Sequence, residues 1–464
     1  MLIMLTRLND AGSIVNPAGP DGIPIALKAR AADEEMVLPP PSGAAEDKSE
    51  HHVLSWLGRL PATLSRVTTS TTYVPQIDGL RFLAIFSVLI YHAGTRGERL
   101  YQHPSSAEAA IAQYLPHGSL GVSLFFFISG YIIAYPFLSG RPPSLKHFFL
   151  RRLTRLEPPY ILAMLGCFAV LAVVPAPTEA PNFYFTEAPL WQSLIASLTY
   201  SHSLVFGEHP RLNPPTWSLE REVQFYILAP MILYVYGRIR THRLRIAVGS
   251  ALTVVLLVLG EVISDRLERT GVLRNTLLAE SYGFMLGIVA CDYSLWKNVF
   301  ALPRRAVFDI GFVFGLVGVL FTGAVQFNLQ LNLPFHLEVA NDLFRATCIL
   351  LLFMAAARGT WSKAFLGLPW IALIGGACYS IYLVHLPVAH ATAQILAKFV
   401  AFRSLAEAWL ISWAVLVPIV LLVGMLFYVL VERPCMDSKW PAALWHRALR
   451  LVARPRFNRS AAEI

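Results

Sequence analysis

Apolar runs of roughly 17 to 25 residues recur along this chain, and each is long enough for a helix to cross the hydrocarbon core of a bilayer. Charged residues make up 14% of the 464 residues, and hydrophobic residues make up 55%. An average soluble domain carries about 25% charged residues. Because a backbone in lipid must satisfy its polar groups within the segment itself, the sequence predicts an all-α fold, a polytopic membrane helical bundle.

The positions of the runs predict about ten transmembrane helices. The predicted spans are Leu80–Ala93, Leu120–Leu138, Pro159–Val174, Trp217–Tyr236, Ile246–Ile263, Thr276–Tyr293, Val307–Val325, Asn341–Ala357, Leu368–Leu396 and Ala406–Val431. The longest link contains Leu190–Leu204, which is predicted to be an interfacial helix, with a short eleventh crossing as the alternative. An even number of spans places both termini on the same side of the membrane.

Basic residues predict which side that is, because links rich in Lys and Arg stay in the cytosol. The links on the side of the termini carry Arg141, Lys146, Arg151, Arg152, Arg155, Arg238, Arg240, Arg243, Arg245, Lys297, Arg304, Arg305, Arg358 and Lys363. We therefore expect a multi-pass protein of the cell (inner or plasma) membrane with both termini cytosolic. Residues 1–72 are predicted to be a disordered cytosolic tail, 73–434 a transmembrane domain and 435–464 a basic cytosolic tail.

The formal charge of +9 is accounted for by this orientation pattern, so nucleic-acid binding is not expected. The five cysteines are scattered and none lies in a CxxC spacing. They are predicted to be small buried residues, and no metal or redox site is expected.

The first span contains Arg81 and His92, which are separated by ten residues. Eleven residues at 100° each place the two side chains on one helix face, about 16 Å apart along the axis. An ionisable residue inside a span usually faces the bundle interior or a watery cavity. The alternative is an arginine at the membrane interface and a histidine that only packs.

The stretch from Ile77-Asp-Gly-Leu-Arg81 to Tyr91-His92-Ala93 resembles the opening motif of acyltransferase family 3, membrane enzymes that acylate sugars and other hydroxyl compounds. Further stretches resemble family segments in the same order, and together they cover about Tyr73 to Pro434. These stretches are Gly121–Tyr131, Phe148–Tyr160, Trp217–Tyr226, Gly375–Pro387 and Tyr428–Pro434.

The resemblance implies roles for particular residues. Arg81, Arg152 and Arg155 would bind the phosphates of an acyl-CoA donor, although the last two are also typical of ordinary membrane anchoring. Glu222 matches the family's carboxylate, but the neighbouring Glu220 and Arg221 depart from its pattern and leave open which carboxylate faces the site. Substrate-binding roles fall to Trp217, Ser218, Tyr226, Tyr382 and His385. Glu432 is expected to be a partner for a nearby cation.

The implied activity is transfer of an acyl group, acetyl by family frequency, from acyl-CoA to a hydroxyl of a glycan or lipid-linked sugar. His92 would be the general base, with Arg81 and Glu222 as further catalytic residues, and no metal would take part. Direct attack is the simpler route, and a covalent acyl-enzyme on Ser or His is the alternative. A His-x4-Asp arrangement is absent, because Gly97 occupies the fifth position after His92.

A membrane transporter or flippase of a glycan or lipid-linked substrate is the competing function, because it would use the same polar groups without chemistry. Asp342 and Arg345, spaced three residues apart, are predicted to form a structural ion pair. The identity of the acceptor and the oligomeric state stay open.

The basic links generate a topology prediction. The Arg141–Arg155 link follows the second predicted span, and the chain after Glu432 follows the tenth. Because an even number of spans lies between them and both are rich in basic residues, both should be cytosolic. Cysteine labelling or reporter fusions in whole cells would measure this. Placement of the two segments on opposite sides would overturn the count of about ten spans.

Overall fold

The computed structural model describes residues 60–66, 73–101, 104–112, 118–174, 188–266, 273–325, 333–437 and 440. All regular secondary structure in these ranges is helical, which confirms the all-α prediction. The described residues fall within one compact unit, residues 57–464. Most of the two predicted tails lies outside the described residues.

The helices of the described residues follow one another along the chain in the following order. They are α1 Pro75–Leu100, α2 Ser106–Ala112, α3 Ser119–Leu138, α4 Leu145–Val173, α5 Leu190–Leu198, α6 His202–Phe206, α7 Trp217–Gly237 and α8 His242–Arg266. The second half adds α9 Ser281–Lys297, α10 Val307–Gly323, α11 Phe335–Arg358, α12 Trp361–Leu366, α13 Pro369–Gly376, α14 Cys378–Leu396, α15 Leu405–Phe427 and α16 Arg433–Cys435. A π-helical turn, Tyr428–Glu432, joins α15 to α16.

Six of these helices, α1, α3, α4, α8, α11 and α15 with its extension, are long and apolar enough to cross a membrane. A seventh span results if α13 and α14, which are bent by 70° relative to each other, count as one broken crossing. Each of the ten predicted spans coincides with a helix or helix pair, but the count of about ten is not confirmed. The shortfall has a physical reason, because α9 and α10 have only 17 residues each and α7 carries three consecutive charged residues in its first two turns.

The segment predicted as an interfacial helix or an eleventh crossing forms two short helices. The first, α5, has 9 residues, and the second, α6, has 5. A helix needs about 20 residues to span the hydrocarbon core, so neither is a crossing.

The helix α1 lies at the centre of the described bundle and contacts α3, α13, α14 and α15. The indole nitrogen of Trp413 on α15 donates to the carbonyl oxygen of Ile90 at 2.9 Å, and that of Trp409 donates to Glu98 at 3.1 Å. The later residue of α15 thus contacts the earlier residue of α1, so the two helices are antiparallel. The central position of α1 explains why Arg81 and His92 face other helices.

Residues 213–216 enter the bundle before α7 begins. Asn213 and Thr216 are fully buried, and the Asn213 side-chain amide donates to the carbonyl oxygen of Leu383 on α14 at 2.8 Å. Irregular backbone inside a membrane bundle requires such internal partners. This link therefore brings the first turn of α7 against the middle of α14.

Glycines allow α3 and α9 to pack closely. A Cβ on Gly287 would lie 2.1 Å from the carbonyl oxygen of Phe127, and a Cβ on Gly130 would lie 2.1 Å from that of Phe284. Small residues at helix crossings are the usual way for membrane helices to gain contact. The α3–α9 pair holds α3 in place beside α1.

This packing predicts that Gly287→Val lowers stability by about 1–3 kcal/mol, because the added side chain forces two backbones apart. Thermal unfolding of the purified protein in detergent would measure the loss. Gly166→Val on α4 is the matched control, since nothing lies within 4 Å of a Cβ at that position. Equal melting temperatures for the two variants would contradict the close crossing.

Candidate active site

Two histidines from different helices lie side by side in the bundle. The ring centroids of His92 on α1 and His385 on α14 are 5.1 Å apart. His92 is half-buried, whereas His385 is 1% exposed. The structure therefore brings together two predicted site residues that are almost 300 positions apart in the sequence.

The protonation of His385 follows from its hydrogen bond. Its Nδ1 lies 2.6 Å from the carbonyl oxygen of Tyr382, and a carbonyl oxygen can only accept. The neutral ring therefore carries its proton on Nδ1 and a lone pair on Nε2. That Nε2 is buried and has no hydrogen-bond partner in the described residues. A buried lone pair beside His92 is suited to accept a proton.

Ser218 and Tyr382 extend the histidine pair. The Tyr382 ring centroid is 5.4 Å from that of His385, and its hydroxyl donates to the carbonyl oxygen of Pro215. Because this uses the only phenolic proton, the Ser218 hydroxyl donates to Tyr382 across 2.7 Å. The first turn of α7 is thereby tied to the histidines. We call His92, His385, Tyr382 and Ser218 the histidine cluster.

Glu222 stands at the centre of a second polar group on the same face of α7. Its Oε1 accepts from the Ser129 hydroxyl on α3 and from the Tyr226 hydroxyl at 2.5 Å. The Arg152 guanidinium lies 5.2 Å from the Tyr226 ring and 3.6 Å from that of Phe148. The predicted donor residue Arg152 and the predicted catalytic residue Glu222 thus lie close together.

Glu220 and Trp217 face elsewhere. Glu220 is fully buried and accepts from the backbone N–H groups of His202 at 3.0 Å and Ser203 at 2.9 Å, so it holds α6 against α7. The Trp217 ring lies 4.3 Å from the Arg221 guanidinium, which pairs with Glu280 at 3.2 Å. Of the two carboxylates that the sequence left open, Glu222 is the one on the face of Ser218 and Tyr226.

The remaining predicted cations, Arg81 on α1 and Arg155 on α4, pair with buried carboxylates near the N-terminal part of α1. The Nη1 of Arg81 contacts Asp78 at 2.7 Å, and the Nη2 of Arg155 lies 3.6 Å from Glu432. The backbone N–H and hydroxyl of Ser380 donate to the other Glu432 oxygen at 3.2 and 2.6 Å. We call the part of the bundle around Asp78, Arg81, Arg155 and Glu432 the arginine end. It lies about 16 Å along α1 from His92, at 1.5 Å per residue.

Two residues of this arrangement were not singled out from the sequence. Asp78 carries the signal that would have found it, because it lies three positions before Arg81 on the same helix face. Asn213, which fixes the link before α7, gives no such signal, since its partner Leu383 lies 170 positions away. The predicted Asp342–Arg345 pair is present at 2.8 Å, on α11 and away from both clusters.

Comparison with known families gives one extended match. A family model described as an acyltransferase domain matches residues 74–429, which include all the residues of the histidine cluster. This confirms the family resemblance drawn from the motifs. No solved structure matches the chain.

Curated relatives are similar over the same region. A Staphylococcus aureus (strain COL) protein named "Putative O-acetyltransferase SACOL0978" is 28% identical over 342 residues, covering 68% of this chain and 50% of that protein. The O-acetyltransferase OatA of Staphylococcus aureus (strain NCTC 8325 / PS 47) is 24% identical over 342 residues, covering 69% of this chain and 51% of that protein. The chain thus matches about half the length of each of these relatives.

Proposed function

This chain belongs to the acyltransferase family whose domain model matches residues 74–429, and on that premise we propose that it moves an acyl group from acyl-CoA to a hydroxyl of a carbohydrate or related acceptor. The observation that carries the proposal is the pair of histidines 5.1 Å apart, one of which presents a buried lone pair. Acyl transfer to an alcohol requires a proton acceptor, and the imidazole of His92 would be that group.

The proposed reaction is a direct transfer. The acceptor hydroxyl oxygen attacks the thioester carbonyl carbon, and His92 takes the hydroxyl proton. The C–S bond then breaks, an ester forms, and the proton passes to the leaving sulfur, so that free CoA thiol is released. A neutral imidazole, with a reference pKa near 6.5, is suited to both proton steps.

The neighbouring groups support this division of roles. His385 has its Nδ1–H fixed by the Tyr382 carbonyl, so its Nε2 would accept a hydrogen bond from a second hydroxyl of the acceptor and so position the acceptor beside His92. Ser218 and Tyr382 would bind the same substrate from the start of α7. Tyr226 and Glu222 lie between this cluster and Arg152 and would contact the donor near its acyl end.

The donor would enter from the arginine end. Arg81, Arg152 and Arg155 supply charge and planar N–H donors that match phosphate oxygens. Under the proposed topology this end is cytosolic, where acyl-CoA is made. The thioester would then reach the histidines along the face of α1.

The acyl group and the acceptor class rest on the relatives. Their names describe O-acetyl transfer, which supports acetyl as the group moved and a hydroxyl oxygen as its target. Because the matched region is about half of each relative, their complete activity is not carried over. We propose acetyl-CoA as donor and a glycan or lipid-linked sugar as acceptor, at the inner or plasma membrane.

A transporter that used the same polar side chains would give a different result with acetyl-CoA and an acceptor. Purified protein given radiolabelled acetyl-CoA and a panel of hydroxyl acceptors should yield labelled ester if it is an acyltransferase. A transporter would bind the acceptor and leave the thioester intact. The family match favours the enzyme.

Replacement of His92 tests the proposed base. His92→Ala should reduce turnover by about 10²- to 10⁴-fold, the usual contribution of a positioned general base. His92→Gln should be no better, because an amide forms hydrogen bonds but does not accept a proton at neutral pH. Ester formation by equal amounts of folded protein would measure the effect.

The exposed His336 on α11 provides the control, since His336→Ala removes an imidazole far from the cluster. Near-native turnover in His92→Gln would make His92 a structural residue. The base would then have to be sought in His385 or Glu222.

Replacement of Arg152 and Arg155 tests the donor site. The double variant Arg152→Gln, Arg155→Gln should bind acyl-CoA more weakly, and the contrast with wild type should shrink at raised salt if the phosphate contacts are exposed, because salt screens them. Equilibrium binding of radiolabelled acetyl-CoA would measure this. If a folded double variant binds acetyl-CoA with unchanged affinity, the two arginines only anchor α4 at the membrane interface.

A further inference from the structure

A short N-terminal segment, residues 60–66, packs on the arginine end although it lies outside the matched family region. The Tyr428 hydroxyl donates to the carbonyl oxygen of Leu64 at 3.1 Å. The Arg433 guanidinium donates to the carbonyl oxygens of Thr63 at 2.6 Å and Ser65 at 3.4 Å. Three consecutive carbonyl groups are thus held by the chain that follows α15, and this fixes the position of Arg66.

Arg66 reaches into the arginine end. Its Nε lies 2.9 Å from Asp78 Oδ2, while Arg81 contacts the other oxygen of the same carboxylate at 2.7 Å. Its stem lies against Gly376, where an added Cβ would be 3.8 Å from Arg66 Cδ. One buried carboxylate therefore serves two guanidinium groups, and Arg155 lies within electrostatic range of Arg66.

The arginine end has too few hydrogen-bond acceptors for its N–H groups. Each guanidinium has five N–H groups, so the N–H groups of Arg66, Arg81 and Arg155 greatly outnumber the oxygens of Asp78 and Glu432. One Glu432 oxygen already accepts two bonds from Ser380. The buried Nε atoms of Arg66 and Arg155 make no hydrogen bond in the described residues, although Arg66 Nε lies 2.9 Å from an Asp78 oxygen.

The charge balance is also incomplete. Three cations face two carboxylates, which leaves an excess positive charge in a largely buried position. Burial and the nearby Arg81 and Arg155 lower the pKa of Arg66 to about 10, so it stays charged at neutral pH. A phosphate group would supply both negative charge and several acceptor oxygens.

We propose that Arg66 is a donor-binding residue, and that residues 60–66 complete the site for the phosphate groups of a CoA thioester together with Arg81 and Arg155. This inference rests on the proposed function, because it assumes that the donor enters at the arginine end. It assigns a binding role to a part of the chain that the sequence predicted to be only a tail.

Arg66→Gln in the purified full-length chain tests the inference by equilibrium binding of radiolabelled acetyl-CoA, which needs no knowledge of the acceptor. The dissociation constant should rise about 10- to 100-fold, the usual effect of losing a hydrogen bond to a charged group. Arg66→Lys, which keeps the charge, should recover part of the affinity. Arg141→Gln is the matched control, because Arg141 is an exposed cation in the link that follows α3.

Two competitors separate phosphate binding from a structural role. Adenosine 3′,5′-bisphosphate carries phosphates without the thioester, and its affinity should fall in Arg66→Gln in parallel with that of acetyl-CoA. S-acetylpantetheine carries the thioester without phosphate, and its affinity should not change. An equal loss for both competitors would mean that Arg66 only holds the helices together, and would overturn the proposal.

The role of Arg66 and the acyltransferase function are overturned by different results. The role of Arg66 alone would be overturned if the wild type binds acetyl-CoA and forms ester while Arg66→Gln binds acetyl-CoA as tightly as Arg141→Gln does. Wild-type protein that binds acetyl-CoA with dependence on Arg66 but forms no ester would overturn the acyltransferase function and leave the phosphate site supported. Absence of acetyl-CoA binding by the wild type would overturn both.

Discussion

Charged and polar groups inside a bundle of apolar helices cannot be solvated by lipid, so they must find partners on other helices, and this requirement organises the structure around α1. Asp78 and Arg81 pair on α1 itself, whereas Glu222 on α7 takes its second partner, Ser129, from α3. The Ser218–Tyr382 contact joins α7 to α14. The contacts between helices fix the register of the helices that carry them. The residues available for chemistry are thus held by the contacts that align the bundle.

Interruptions of regular helix place the candidate site. The 70° bend between α13 and α14 starts a new helix inside the bundle, and residues 213–216 bring the start of α7 against it. Backbone of this kind is tolerated at membrane depth only where it is buried in protein and its polar groups are satisfied. The same interruptions bring His385, Tyr382 and Ser218 beside His92. A set of uninterrupted spans would leave these side chains on separate helices at unrelated depths.

The arginine end and the histidine cluster lie at different positions along α1 and differ in charge, and this difference suits anion binding at one and proton transfer at the other. The arginine end combines Arg66, Arg81 and Arg155 with only two carboxylates, which favours an anionic ligand. The histidine cluster has neutral hydroxyl and imidazole groups in a buried setting, which favours proton transfer over ion binding. Glu222 and Tyr226 lie between them beside Arg152. The histidine cluster is thereby separated from Arg66, Arg81 and Arg155.

The sequence by itself determined the helical class, the approximate position of every long helix and the family, because apolar length and local motifs are properties of single segments. It also placed Arg81 and His92 on one face of α1, since helical periodicity needs no knowledge of neighbours. It did not determine how many helices are long enough to span, because that depends on where α9, α10 and the α13–α14 pair begin and end. Only the tertiary structure decided that His385 lies beside His92, that Glu220 holds a link while Glu222 faces Ser129, and that Arg66 joins the arginine end. These are contacts between residues far apart in the chain, and their geometry is set by how whole helices pack rather than by any local pattern.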